Sequence, residues 1–193
     1  MSKRIIFLGP PGSGKGTQAK ILAHSMDIPH ISTGEILRRA VAEETSLGKK
    51  VKDFLEQGDL VPDSLLVDLI RERLNSEDAD EGWILDGFPR TIAQANFLEE
   101  LLQEFQETRK VVFNLEVPEP VLVERLLHRA QEEGRADDTE ETIRHRLQVY
   151  HDLTEAVIDY YHEHEDHDLY SVNGDRLPEE VAKSLNEIVM VSA

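Results

Sequence analysis

The chemistry in this chain is concentrated first in Gly9-Pro10-Pro11-Gly12-Ser13-Gly14-Lys15-Gly16-Thr17. Gly9, Gly12, Gly14 and Gly16 let the backbone bend closely around an anion and turn its N–H groups inward. The apolar run Ile5-Ile6-Phe7-Leu8 predicts a strand ahead of the loop, and helix formers follow it, so a helix N-terminus adds partial positive charge. Lys15 can then reach the terminal phosphates of a nucleoside triphosphate. The stretch fits G-x-x-x-x-G-K, except that Gly16 separates Lys15 from the next hydroxyl, Thr17, which becomes the nearest one for a phosphate or Mg²⁺. A glycine-rich turn with no ligand is the plainer reading, and the strand and helix context weighs against it.

A second group of candidates follows Trp83-Ile84-Leu85, a short apolar strand that ends at Asp86. A carboxylate there suits Mg²⁺, directly or through water, beside a phosphate loop; alone it could equally be a turn aspartate. Arg90 and, four residues on, Gln94 then open a helix, one suited to a phosphate and the other to a base edge. Ser32-Thr33-Gly34-Glu35-Ile36-Leu37-Arg38 occupies a similar place after an earlier strand. On its own Ser32-Thr33 reads as a helix cap and Arg38 as a surface residue, but Arg38 and Arg90 together could clamp a second phosphate by bidentate hydrogen bonds. Arg125 and Arg129 lie one turn apart on a helix, and Arg135, Arg144 and Arg146 flank Asp137-Asp138; in isolation such arginines are mostly solvated helix charges paired with glutamates.

Positioning these groups requires a regular frame. Strands are expected at Ile5 to Leu8, Ile28 to Ile31, Trp83 to Leu85, Val111 to Val117 and Leu169 to Val172. Helices are expected at Gly14 to Met26, Thr33 to Glu44, Leu47 to Gln57, Pro62 to Leu74, Thr91 to Glu107, Glu119 to Glu132, Thr139 to Glu163 and Pro178 to Met190. The alternation predicts an α/β fold with a five-stranded parallel sheet covered on both faces. Its strand ends would carry Gly9, Ser32, Asp86 and Asn173 along one edge. Three consecutive helices without a strand mark a small helical insertion.

The chain has 193 residues, enough for one compact domain with small mobile insertions. It contains no cysteine, which excludes disulfides, thiolate metal sites and a cysteine nucleophile. Its 21 basic and 39 acidic residues give a net charge of −18, which argues against a nucleic-acid or anionic-membrane surface. Salt adaptation or ordinary solubility would account for the excess. No apolar signal segment and no apolar stretch near 20 residues is present, so a soluble cytoplasmic protein is expected. The tract His162-Glu163-His164-Glu165-Asp166-His167-Asp168 has the composition of a metal site but reads as a solvated helix end and loop.

The phosphate loop, Ser32 to Arg38, Asp86-Gly87-Phe88-Pro89-Arg90 and Gly134-Arg135-Ala136-Asp137-Asp138 together resemble the ordered motifs of the adenylate kinase family, and the similarity spans nearly the whole chain. The resemblance implies a P-loop three-layer sandwich in one domain, with an NMP-binding insertion at about 32–61 and a short lid at about 129–135. It implies reversible transfer of the terminal phosphoryl group from Mg·ATP to AMP, giving two ADP, in a monomer. By position, Thr33, Arg38, Arg90 and Gln94 would bind AMP, with the backbone of Asp59-Leu60-Val61 and Gly87 completing the pocket. Gly12, Ser13, Gly14, Lys15, Gly16 and Thr17 would hold ATP phosphates. Arg125 and Arg129 would serve the ATP side, Gly174 and Arg176 would lie by its adenine, and Arg135 and Arg146 would meet the phosphates and the transferring group. Lys15, Arg90, Arg129, Arg135 and Arg146 form the implied catalytic set, and Thr17 and Asp86 the implied Mg²⁺ site. Arg144 is left as a surface residue. Gly34, Gly48, Gly58 and Gly134 are candidate flexing points, and Asp137 and Asp138 either order the lid or cap a helix.

The lid is too short and too poor in cysteine and histidine for structural zinc. Glu35 stands where the family commonly has aspartate. Related pyrimidine monophosphate kinases typically carry alanine at the position of Thr33 and asparagine near that of Gln94, so AMP is favoured over UMP or CMP. A nucleotide-dependent switch is the rival of another class. It would expect an Asn-Lys-x-Asp motif, which is missing, and would leave Arg38, Arg90 and Gln94 without a task.

Overall fold

The structure is a computed structural model and describes residues 3–105, 110–133, 139–163 and 168–192. Five strands, β1 (Lys3–Leu8), β2 (His30–Ser32), β3 (Gly82–Asp86), β4 (Val111–Glu116) and β5 (Asp168–Asn173), form one parallel sheet in the order β2-β3-β1-β4-β5. Successive side chains of a strand point to opposite faces, so a sheet covered on both sides needs apolar residues at consecutive positions. β1 meets that need: Ile6 and Leu8 join one core and Ile5 and Phe7 the other, and all four are buried. β3 does the same, with Trp83 and Leu85 on the first face and Ile84 on the second.

Helices α1 (Lys15–Met26) and α9 (Pro178–Ser192) cover the second face through Ala19, Leu22, Val181 and Leu185. The first face is covered by α2 (Thr33–Ala42), α3 (Ser46–Gln57), α4 (Asp63–Leu74), α5 (Ile92–Glu104) and α8 (Glu155–Glu163). A smaller third core joins α6 (Glu119–Glu133) to α7 (Glu140–Val149) through Leu122, Leu126, Ile143 and Leu147. Among the described residues, no helix is long and apolar enough to cross a membrane.

The expected architecture is present, with three local differences. β2 starts at His30 rather than Ile28, because Pro29 has no N–H to give a ladder, although its carbonyl accepts from the Ile84 N–H at 2.9 Å. α5 starts at Ile92, capped by Thr91, whose side chain accepts from the Gln94 N–H; its expected end, Glu107, lies outside the described residues. The helix expected as one piece from Thr139 to Glu163 contains a π-helical turn, Tyr150–Thr154, that separates α7 from α8. Buried residues at 143, 147, 150, 154, 157 and 161 keep three- and four-residue spacing straight through the turn, so nothing in the pattern marks it. α7 packs on α6 and α8 on α5, and the turn lies where the helix passes from one partner to the other.

α2 and α3 cross so closely that a Cβ at Gly48 would stand 2.0 Å from the Ala40 carbonyl oxygen and 2.7 Å from the Val41 nitrogen. Both neighbours are backbone and cannot rotate away. Helix propensity alone would make Gly48→Ala stabilising by about 1 kcal/mol, whereas overpacking against backbone costs about 1–3 kcal/mol or more. Gly48→Ala is expected to lower stability by about 2 kcal/mol in chemical denaturation; unchanged or raised stability would show that the crossing relaxes freely.

Candidate active site

The carboxyl ends of the strands open into a cleft of about 910 Å³. Every described residue that the sequence pointed to as a site residue lines it, from Gly12 to Thr17, through Thr33, Arg38 and Asp59-Leu60-Val61, to Asp86, Gly87, Arg90, Gln94, Arg125, Arg129, Arg146, Gly174 and Arg176. Arg135, with Gly134, Ala136, Asp137 and Asp138, lies outside the described residues, as do His164 to His167. Arg144 faces away from the cleft and pairs with Glu140 one turn earlier at 2.9 Å.

The phosphate loop runs from the end of β1 into α1. A Cβ at Gly9, whose φ is +130°, would stand 2.6 Å from the Leu115 carbonyl oxygen, so the loop can leave the sheet only at a glycine. Gly14 caps α1 with φ +95° and open space where a Cβ would be, so its backbone conformation, not room, requires glycine there. Lys15 Nζ folds over the loop and donates to the carbonyls of Gly9 and Pro10, both at 2.7 Å. Burial pushes its ammonium down to about 8 against the opposing pull of Asp86, with Arg90 and Arg129 adding repulsion.

Asp86 sits at the end of β3 against the first turn of α1, where a Cβ on Gly16 would be 3.4 Å from its Oδ2. Burial alone would raise its carboxyl, but the His30 imidazole, Lys15 and Arg90 outweigh burial and hold it below the ordinary carboxylate range. His30 Nε2 lies 3.5 Å from Asp86 Oδ2 from the adjacent strand β2. A histidine inside a strand carries no motif, so this neighbour was not legible in the sequence.

On the opposite wall the Gly87 carbonyl accepts from Thr33 Oγ1 at 2.9 Å and from Arg90 Nε at 2.8 Å, using both lone pairs. Ser32 acts as the cap of α2, accepting from the Glu35 N–H, as its position suggested. The Arg90 peptide is held on both sides: its N–H donates to Gln94 Oε1 at 2.7 Å, and its carbonyl accepts from Thr154 Oγ1 at 2.9 Å. Thr154 and Tyr150, both on the π turn and both buried, also line the cleft and were missed by the sequence reading. Gln94 is buried, and its Nε2 donates to Asp63 Oδ1 at 2.6 Å.

α7 meets the last turn of α3 and the loop after it. Arg146 Nη2 donates to the Leu55 carbonyl at 3.2 Å, and His145 Nε2 lies 2.6 Å from Asp59 Oδ1. At the other end of the cleft Arg125 donates to the Gly174 carbonyl at 3.1 Å, and Gly174 packs against Ser13 of the phosphate loop. Arg176 Nε donates to the Asn173 carbonyl and its Nη2 to Ser184 Oγ on α9, both at 3.2 Å.

A phosphate loop at the carboxyl edge of a parallel sheet, in a cleft that it shares with Arg38, Arg90, Arg129 and Arg146, defines a P-loop phosphotransferase of the α/β class. The family model described as adenylate kinase matches residues 7–166. Adenylate kinase 1 of Nostoc sp. is 54% identical over 94% of this chain and 96% of its own length, and adenylate kinase 1 of Synechocystis sp. is 52% identical over 98% of each. An adenylate kinase of Leptospira biflexa is 52% identical over 82% of this chain and 86% of its own length. The chain belongs to the adenylate kinase family.

The lowered Lys15 ammonium has a measurable consequence. Above pH about 8 the free protein carries Lys15 increasingly neutral, while bound polyphosphate favours the charged form. ATP binding at pH 9 is therefore expected to take up close to one proton, and very little at pH 7, with affinity falling about tenfold per pH unit above 8. Calorimetry in two buffers of different ionisation enthalpy reads the uptake directly, and Lys15→Met should abolish it. Proton-neutral binding at pH 9 would contradict the assignment.

Proposed function

We propose that the cleft holds Mg·ATP on the phosphate-loop side and AMP against Thr33, Arg38, Arg90 and Gln94, and that the terminal phosphoryl group passes reversibly between them to give two ADP. Family membership makes the chain an ATP:AMP phosphotransferase. The observation that carries the residue assignment is the gathering of the glycine loop, Lys15, Arg38, Arg90, Arg129 and Arg146 around one cleft.

In-line phosphoryl transfer asks for little covalent work from a protein; it needs two anions aligned and the charge on the equatorial oxygens offset. Lys15, Arg38, Arg90, Arg129 and Arg146 are placed to do this, with Arg135 proposed to join them from the lid. No general base or phosphoenzyme is part of the proposal. Gly87 fixes the Arg90 guanidinium through its carbonyl, so the arginine is oriented before substrate arrives. Gln94 supplies a donor and an acceptor to the adenine edge, the backbone of Asp59, Leu60, Val61 and Gly87 closes the pocket, and Gly174 and Arg176 border the ATP base.

Thr17, exposed to the cleft, and the buried, anionic Asp86 fit a magnesium site, the carboxylate acting directly or through water. The metal would supply charge neutralisation between the β- and γ-phosphates. The helical segment 32–61 and the short lid 129–135 are proposed to close over the nucleotides and keep water from accepting the phosphoryl group. On family resemblance we take the working unit to be a cytoplasmic monomer.

The test is an acceptor panel: protein, Mg²⁺ and ATP with AMP, CMP, UMP or GMP, and diphosphate measured for each. Selective turnover of AMP is expected; preference for UMP or CMP, or ATP hydrolysis indifferent to the acceptor, would overturn the reading. Arg90→Ala is expected to lower kcat by about 10²-fold or more with the circular-dichroism spectrum and melting temperature nearly intact, since the guanidinium supports no part of the core. Near-normal turnover would remove Arg90 from the transfer step.

A further inference from the structure

The Gln94 amide is fixed from two directions. Its oxygen accepts from the Arg90 N–H at 2.7 Å, and its nitrogen donates to the Asp63 carboxylate, on the first turn of α4, at 2.6 Å. An amide has two donors and two acceptor positions, so one N–H and one lone pair remain for a ligand. Rotating the amide by 180° would set its NH₂ against the Arg90 N–H and its oxygen against the Asp63 carboxylate. Both contacts would then be repulsive in a place where Gln94 is buried and water cannot stand in for the lost partners.

We infer that Asp63, by holding Gln94 in this orientation, is a positioning residue that sets the preference for a 6-aminopurine over a 6-oxopurine as phosphoryl acceptor. The inference rests on the proposed assignment of Gln94 to the acceptor base. Adenine presents a donor amino group at C6 beside the acceptor N1, which complement the free lone pair and free N–H of Gln94. A 6-oxopurine presents the reverse order, an acceptor O6 beside a donor N1–H. An amide free to turn would serve either base; an amide held by Asp63 and the Arg90 peptide serves one. A site built to match a hydrogen-bonding pattern rejects the mismatched base strongly, because its own buried polar groups are left unpaired.

Asp63 also stands at the start of a helix, where any acidic residue is favourable. That role alone would affect stability and leave base choice untouched, which separates the two.

The experiment compares AMP with IMP, which differ at the edge read by Gln94 and lack the extra 2-amino group of GMP. Initial rates for both acceptors give the AMP:IMP ratio of kcat/KM in the intact enzyme and in Asp63→Asn, Asp63→Ser, Asp63→Glu and Gln94→Ala. An asparagine or serine at 63 can donate as well as accept, so each is expected to narrow the ratio by about tenfold, mainly by raising turnover of IMP. The glutamate, which keeps the carboxylate, is expected to restore the ratio. Asn and Ser variants that retain the original ratio, or lose AMP and IMP activity in parallel, would overturn the role of Asp63 while Gln94→Ala still collapses the preference. A Gln94→Ala variant with the original ratio would instead overturn the assignment of Gln94 to the base. Either Asp63→Asn or Asp63→Ser alone decides the question if the other fails to fold.

Discussion

Bringing the phosphates of two nucleotides end to end is the constraint from which the rest of this molecule follows, because their repulsion must be offset inside a protein that is itself at −18. The solution is local. Cations converge on one cleft at the carboxyl edge of the sheet while the acidic excess is spread elsewhere. Concentrating positive charge has its own cost, visible at Lys15, whose ammonium is pushed down by burial with Arg90 and Arg129 adding to the effect. Asp86 counters that pressure from below, and it is itself kept ionised by His30, Lys15 and Arg90. Carboxylate and cations thus stabilise each other's charged forms in a place neither would tolerate alone.

Arranging charge is insufficient unless it is held still. Arg90 is fixed at three points: its side chain on the Gly87 carbonyl, its N–H on Gln94 and its own carbonyl on Thr154. These partners come from three elements, the turn after β3, α5 and the π turn before α8. A guanidinium held by the Gly87 carbonyl on a backbone pinned from two further elements loses less freedom on meeting a phosphate than a mobile surface cation does.

What the sequence disclosed divides along a physical line. Features that need a particular residue type in a fixed local spacing were legible: the phosphate loop, the alternation of strand and helix, the Ser32 cap, and the pairing of Arg38 with Arg90 and Gln94 in one cleft, while the cleft position of Thr33 and the outward placement of Arg144 came from the family resemblance. Features created by contact between distant segments were not. His30 meets Asp86 only because β2 lies beside β3 in the sheet, and Asp63 meets Gln94 across 31 residues of chain. The π turn escaped for another reason. Its apolar spacing is that of an ordinary helix, and the insertion arises from α7 and α8 packing on different partners, α6 and α5. Thr154 looked like an interior helix threonine because nothing local shows that its hydroxyl reaches the carbonyl of Arg90, 64 residues away.

The strength of a contact also indicates whether it belongs to the fixed frame or to something that opens. The sheet faces are closed by side chains with almost no exposure, such as Trp83, Phe113 and Leu98. By contrast, the tip of the helical segment meets α7 through the half-exposed pair Asp59 and His145, through Arg146 Nη2 on the Leu55 carbonyl, and through Gly58 packed on Thr142 and Arg146. Exposed ion pairs contribute about 0–1 kcal/mol and one such hydrogen bond about 1 kcal/mol, far less than a buried apolar layer. In the closure proposed for segment 32–61, nucleotide binding would bias contacts of this size. On that proposal the sheet edge keeps the reacting groups in register, and the wall that carries Asp59 lets substrates in and products out.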